Sequence, residues 1–156
     1  MNAHFYYSLQ TDDFNLDAEY TRLREQHSST GAIVTFTGLV RDLSKSSQTV
    51  HAIELSTYPA MTQQQIQTIG NTVNQRFNID GLSIIHRHGT LKPDDQIVFV
   101  GVASKHRQDA FSAAAMTMDF LKSQTAFWKK EITTDGAEHW VEPTQDDVHS
   151  LTKWQK

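Results

Sequence analysis

Two short runs with almost no polar side chains set the folding problem for this chain. Ile97-Val98-Phe99-Val100-Gly101-Val102-Ala103 is apolar throughout. Gly31 opens a second run, Ala32-Ile33-Val34-Thr35-Phe36-Thr37-Gly38-Leu39-Val40-Arg41, which is β-branched and apolar on both faces at its start. A strand that does not alternate needs cover on both faces, so each run predicts a central strand. Neither approaches the roughly 20 residues of a membrane span. The start, Met1-Asn2-Ala3-His4-Phe5, has no basic or apolar leader pattern, so no secretory signal is expected. The 156 residues are read as one domain.

Elements arrange themselves around these runs. Residues 3–9 predict an edge strand, and Asn15 caps a helix over about 16–26. Val50 to Tyr58 reads as a strand. Pro59 starts a helix whose Met61, Ile66, Ile69, Val73 and Phe77 recur at helical spacing. Leu82 to His88 and Gln96 to Ala103 are strands, with Gly89 and Lys92-Pro93-Asp94-Asp95 as turns. A helix covers about 107–123. Phe127 to Thr133 and Glu138 to Glu142 form a hairpin around Asp135-Gly136. Helical crossovers mixed with hairpins predict an α+β, mixed-sheet fold.

There are no cysteines. That excludes a disulfide framework, thiolate metal sites and a cysteine nucleophile, and it suits a cytoplasmic home. No Walker loop, GxGxxG, GxSxG or HExxH pattern occurs. His86 and His88 have no carboxylate partner fixed by a motif, so a structural, hydrogen-bonding histidine is favoured over a metal ligand. No metal and no cofactor are expected. Net charge is −4, which argues against a duplex nucleic-acid binder. Within this acidic chain, residues 86–130 hold seven bases against four acids. Such a basic centre suits a compact anion such as a phosphate or carboxylate, although a mixed solvated surface gives the same counts.

Four places carry candidate chemistry. Lys122 continues a helical stripe with Phe111, Ala115 and Met118. The stripe places an ammonium at the edge of the core, where burial tunes it for acid–base work. A helix end whose lysine reaches water is the plainer reading. In Phe127-Trp128-Lys129-Lys130-Glu131, alternation separates Phe127, Lys129 and Glu131 from Trp128, Lys130 and Ile132. Edge-strand lysines are ordinary, but a short link brings Lys129 toward Lys122. Ser104-Lys105-His106-Arg107 joins a strand end to a helix start, a favoured place for anions, with Ser104 as cap. Arg41 follows an apolar strand and suits bidentate phosphate recognition.

Six blocks in series carry a resemblance. They are Phe36-Thr37-Gly38-Leu39-Val40-Arg41, Tyr58-Pro59-Ala60-Met61, Ile85-His86-Arg87-His88-Gly89, Val98 to Arg107, Met118-Asp119-Phe120-Leu121-Lys122 and Phe127-Trp128-Lys129-Lys130-Glu131. Together they resemble the large, catalytic subunit of molybdopterin synthase over roughly residues 30–142, leaving 143–156 as a tail. The resemblance implies an α/β hammerhead-like mixed sheet with a small antiparallel subdomain. It implies transfer of sulfur to cyclic pyranopterin monophosphate, forming the molybdopterin dithiolene. The sulfur donor is the C-terminal Gly-Gly thiocarboxylate of a small ubiquitin-like partner. A homodimer forms the core of a heterotetramer.

By motif, the resemblance makes Lys122 and Lys129 catalytic. It places Leu39, Val40, Arg41, His106, Arg107, Lys130 and Glu131 with those lysines around the substrate. Two departures stand out: Ala126 occupies an expected proline position, which predicts a looser turn, and Pro143-Thr144 replace a stretch that can carry a base. The residues alone also admit a non-catalytic dock for a ubiquitin-like protein, or another enzyme of phosphorylated metabolites.

Overall fold

The chain was analysed as a computed structural model that describes residues 3–41, 50–141 and 150–155. Strand β6 (Gln96–Ser104) is its axis, with seven of nine residues buried. Its neighbours are β4 (Gly81–Arg87) and β2 (Ala32–Leu39), both antiparallel, and β1 (His4–Gln10) lies parallel outside β4. The order is therefore β1-β4-β6-β2. A second four-stranded sheet runs β5-β3-β7-β8, from β5 (Gly89–Leu91), β3 (Val50–Thr57), β7 (Phe127–Thr133) and β8 (Glu138–Val141), antiparallel throughout.

Helices cover the first sheet unequally. On one face lie α2 (Pro59–Arg76) and α3 (Arg107–Gln124), which share a core of Ile66, Ile69, Val73, Ile84, Val100, Val102 and Met116. Burial of each large member stabilises the fold by about 1.5–3 kcal/mol. Among the described residues, the other face receives only α1 (Leu16–Arg24), whose Leu23 packs with Phe14, Ile85 and Phe99. The Asn15 side chain accepts a hydrogen bond from the Ala18 N–H and caps α1 as its sequence requires. A short 3₁₀ turn, Ser150–Trp154, closes against α3 through a Trp154–Asp119 hydrogen bond.

Three expectations change. The strand opened by Gly31 lies at the edge of its sheet, with Thr35, Phe36 and Leu39 exposed. Its apolar composition reflects the cover of α3 on one face, while its outer backbone edge has no strand partner among the described residues. The strand also ends at Leu39, after a register shift at Gly38. Val40 instead exchanges hydrogen bonds with Asp94 and Asp95 of the turn before β6. Finally, residues 89–91, read as turn, form β5 against Ile53 and Leu55.

Candidate active site

Strand register decides which candidates meet. Leu39 pairs with Gln96, and His86 pairs with Val98, so both reach the end of the first sheet where β6 begins. Helix α3 returns along β6 and ends there with Lys122 exposed in its last turn. Arg41, also exposed, follows Val40 at this same end. Strand β7 starts immediately after α3, so the second sheet closes over this end.

The link between α3 and β7 is well held. The Ala126 N–H donates to the Gln65 side-chain oxygen at 2.7 Å, and the Ala126 carbonyl accepts from the Thr62 hydroxyl at 3.0 Å. Ala126 had suggested a looser turn than proline would give. It offers an N–H that proline lacks, and Gln65 uses it.

Phe127 then stacks on His86, with ring centroids 4.0 Å apart and planes 23° apart. The His86 Nδ1 lies 2.8 Å from the Arg87 carbonyl oxygen. A carbonyl only accepts, so Nδ1 carries the proton and Nε2 keeps a lone pair. Removal from water pushes the His86 pKa down to about 4. The charges of Lys122 and His88 act in the same direction, and the bond to the Arg87 backbone opposes them. Lys122 is thus close enough for its charge to be felt at the ring.

Lys129 and Glu131 share the Phe127 face of β7. They stand opposite Leu55 and Ile53, both buried, so they point toward the interior side of the second sheet. Lys130 points the other way. Its ammonium is 3.3 Å from Glu138 and 4.8 Å from the centre of the Trp140 ring. Around it on that outer face, Tyr58 and Trp128 pack edge to face. Val40 is buried against Val50, Ile53 and Leu91, while Leu39 is 49% exposed.

His106 and Arg107 lie elsewhere. His106 is the N-cap residue and Arg107 the first residue of α3, beside the start of β2. With Lys105, Gln108, Gly31 and Ala32 they line an open groove of about 380 Å³. Gly31 is required there, since a Cβ would stand 2.6 Å from the Lys105 carbonyl oxygen. Ser104 does not cap α3 in the usual way: its hydroxyl donates to the Asn78 carbonyl and lies 3.4 Å from the His106 N–H. From Arg107 to Lys122 the helix axis advances about 22 Å. The cations thus form two groups, at opposite ends of α3.

The helical stripe also faces differently than expected. Phe111 is 61% exposed and Ala115 is exposed, whereas α3 buries Ala110, Ala113, Ala114, Met116, Thr117 and Leu121. Alanines let the helix approach the sheet closely, which the larger residues of the stripe would prevent. Reading the sequence gave His86 a structural role but missed its stack on Phe127. The two rings are far apart in sequence and come from strands of different sheets. Pro143 and Thr144 lie outside the described residues. No helix among the described residues is long and apolar enough to cross a membrane.

Comparison with known proteins agrees with the motif series. The sequence pattern of the MoaE protein family matches residues 9–124. A molybdopterin synthase catalytic subunit of Mesorhizobium japonicum is 42% identical over 94% of this chain and 91% of its own length. The molybdopterin biosynthesis MoaE protein of Burkholderia ambifaria superposes with a TM-score of 0.80 at 42% identity, covering 96% of this chain and 98% of that one. A molybdopterin synthase structure from Staphylococcus aureus gives 0.77 at 29% identity, covering 86% and 95%. The chain belongs to the MoaE protein family, that of the molybdopterin synthase catalytic subunits.

Proposed function

We propose that this chain is the catalytic subunit of a molybdopterin synthase. It moves sulfur from the C-terminal thiocarboxylate of a small ubiquitin-like carrier onto cyclic pyranopterin monophosphate, building the dithiolene of molybdopterin. The observation that carries this reading is the meeting of Lys122, the His86–Phe127 stack and the Lys129 face of β7 at one end of the fold, in a chain of this family. Both reactants are anions, and a cationic cleft is what they need.

As the thiocarboxylate sulfur attacks a side-chain carbon of the pterin, the C–O bond at that carbon breaks, and Lys122 stabilises the negative charge on the leaving oxygen or gives it a proton. Water then cleaves the acyl–sulfur bond, so the carrier leaves as a carboxylate, which Lys129 faces. Arg41 and the backbone at Leu39 and Val40 form one wall, although the Val40 N–H is already bonded to Asp95. Glu131 lines the same face as Lys129, while Lys130 supports it from behind. No cofactor or metal enters these steps. The work belongs to the cytoplasm, in keeping with bacterial relatives named for a biosynthetic enzyme.

His106 and Arg107 fit a phosphate, but the length of α3 keeps them from a molecule held at Lys122 of the same chain. A second copy removes the difficulty. The open edge of β2 is eight residues of largely apolar strand, and an exposed edge of this kind calls for a cover. Two copies apposed there, antiparallel about a two-fold axis, bring the Gly31 end of one beside the Arg41 end of the other. The partner's anion groove then completes each lysine cleft.

The test is dithiolene formation from cyclic pyranopterin monophosphate and a pre-formed thiocarboxylated carrier. Lys122→Ala is expected to lose turnover by on the order of 100-fold or more. Wild-type turnover in that variant would overturn the reading.

A further inference from the structure

Only Thr125 and Ala126 stand between the end of α3 and the start of β7. Both backbone polar groups of Ala126 are taken by side chains of α2. Its N–H donates to the Gln65 amide oxygen at 2.7 Å, and its carbonyl accepts from the Thr62 hydroxyl at 3.0 Å. Thr62 and Gln65 are an i, i+3 pair and so share one face of α2. Thr62 is fully buried, and its single proton goes to Ala126, so the Thr57 hydroxyl donates to the Thr62 oxygen. Thr57 in turn pairs with Phe127 across the second sheet. The Thr125 hydroxyl donates to the Leu121 carbonyl and closes the last turn of α3. The start of α2, the end of β3 and the end of α3 thus converge on this link.

We propose that Gln65 is a positioning residue for sulfur transfer: by holding the Ala126 N–H, it fixes the end of α3 against the start of β7, and with them Lys122 and Lys129. Lys122 precedes Ala126 within the last turn of α3, and Lys129 follows it on β7. The two lysines leave the link in different elements, so its place sets their separation and their relative direction. Thr125 and Ala126 have little side chain to bury, and packing alone would hold them loosely. An N–H left unpaired at this half-buried place would turn toward water and draw the link outward. Accurate placement of catalytic groups is sensitive to shifts of this kind, even when they start far from the reacting atoms. This inference rests on Lys122 and Lys129 as the reacting lysines.

The test is sulfur transfer from a pre-formed thiocarboxylated carrier, with kcat counted per folded chain from urea unfolding under assay conditions. Gln65→Leu keeps the bulk and removes the acceptor. Its kcat is expected to fall by on the order of 10-fold or more, as misplacement of catalytic groups does. Its KM for the pterin should stay within about 2-fold. A role in stability alone would leave kcat per folded chain unchanged. Gln65→Glu keeps an oxygen at the same reach and should recover most of the loss. Adding Ala126→Pro to Gln65→Leu removes the stranded N–H itself and should also restore kcat. Thr125 already has the extended backbone that a residue before proline needs, with φ −113° and ψ 147°. Wild-type kcat per folded chain in Gln65→Leu, or no recovery in either rescuing variant, would overturn the proposal. Wild-type turnover in Lys122→Ala would instead remove the reading on which it rests, and the proposal with it.

Discussion

Arg107 and Lys122 belong to one helix and stand at its opposite ends, about 22 Å apart along its axis. A single small substrate held by both must therefore touch two copies of the chain. This relationship makes a quantitative prediction about mixtures.

Take Arg107→Ala and Lys122→Ala, each expected to be poorly active alone. When the two are unfolded together, refolded and mixed, half of the dimers combine one of each. In such a dimer one cleft carries both lesions and the other carries none. Recovered activity should approach about one quarter of wild type for random pairing. Activity that stays at the level of the separate variants would place both residues in a cleft within one chain, and the geometry of α3 would then need to change on binding.

Adjacent lysines on β7 should fail in different ways. Lys129 faces the side of Phe127, Leu55 and the cleft, whereas Lys130 faces Glu138 and Trp140. Lys129→Gln is expected to lower kcat for sulfur transfer by on the order of 10²-fold, the usual scale for a group acting on developing charge. Lys130→Gln removes a surface ion pair and a cation–π contact, which together are worth about 1 kcal/mol of stability. Steady-state kinetics beside urea unfolding separates the two. Equal kinetic losses would show that both side chains reach the substrate.

Much of this division was legible in the sequence, and the reason is periodicity. Alternation on β7 assigned Lys129 and Lys130 to opposite faces, and burial of Leu55 opposite Lys129 agrees with that assignment. Helical spacing found α3 but turned it the wrong way. Phe111, Ala115 and Met118 are apolar and in register, yet Phe111 and Ala115 are exposed, Met118 meets the core only at its margin, and the side packed on the sheet is the one rich in alanine. Hydrophobicity counts large apolar groups, whereas close packing there favours small ones. The place of β2 was also misread, because an apolar edge strand looks the same in sequence as a central one. His86 illustrates the remaining limit. Its type was visible, but its partner Phe127 comes from another sheet, and long-range pairing leaves no local signal.

Gly31 supplies a local test of the proposed anion groove. A methyl group there would stand 2.6 Å from the Lys105 carbonyl oxygen, which is backbone and cannot rotate away. Gly31→Ala should push the segment before α3 outward, carrying His106 and Arg107 with it. Overpacking of this kind costs about 1–3 kcal/mol of stability. A higher KM for the phosphorylated pterin is expected, with Lys122 and Lys129 undisturbed at the far end of the helix. An unchanged KM together with unchanged urea stability would show that the groove does not depend on this contact.

The half-buried imidazole of His86 should be visible in the pH dependence of stability. Its pKa is about 4 in the fold, against an ordinary 6.5 when the chain is unfolded. Between these values the unfolded chain takes up a proton that the folded chain refuses. Stability contributed by the neutral ring is therefore complete above pH 6.5 and declines as the pH falls toward 4. Between pH 7 and pH 5 this single group accounts for about 2 kcal/mol, after which the decline continues until the folded form also protonates. His86→Phe keeps the stacking partner of Phe127 but has nothing to titrate. Urea unfolding of wild type and variant at pH 7, 6 and 5 should give curves that converge as the pH falls, with the variant losing less. Parallel curves would mean that His86 is as free to protonate in the fold as outside it. The stack on Phe127 and the bond to Arg87 would then not hold the ring in its neutral form.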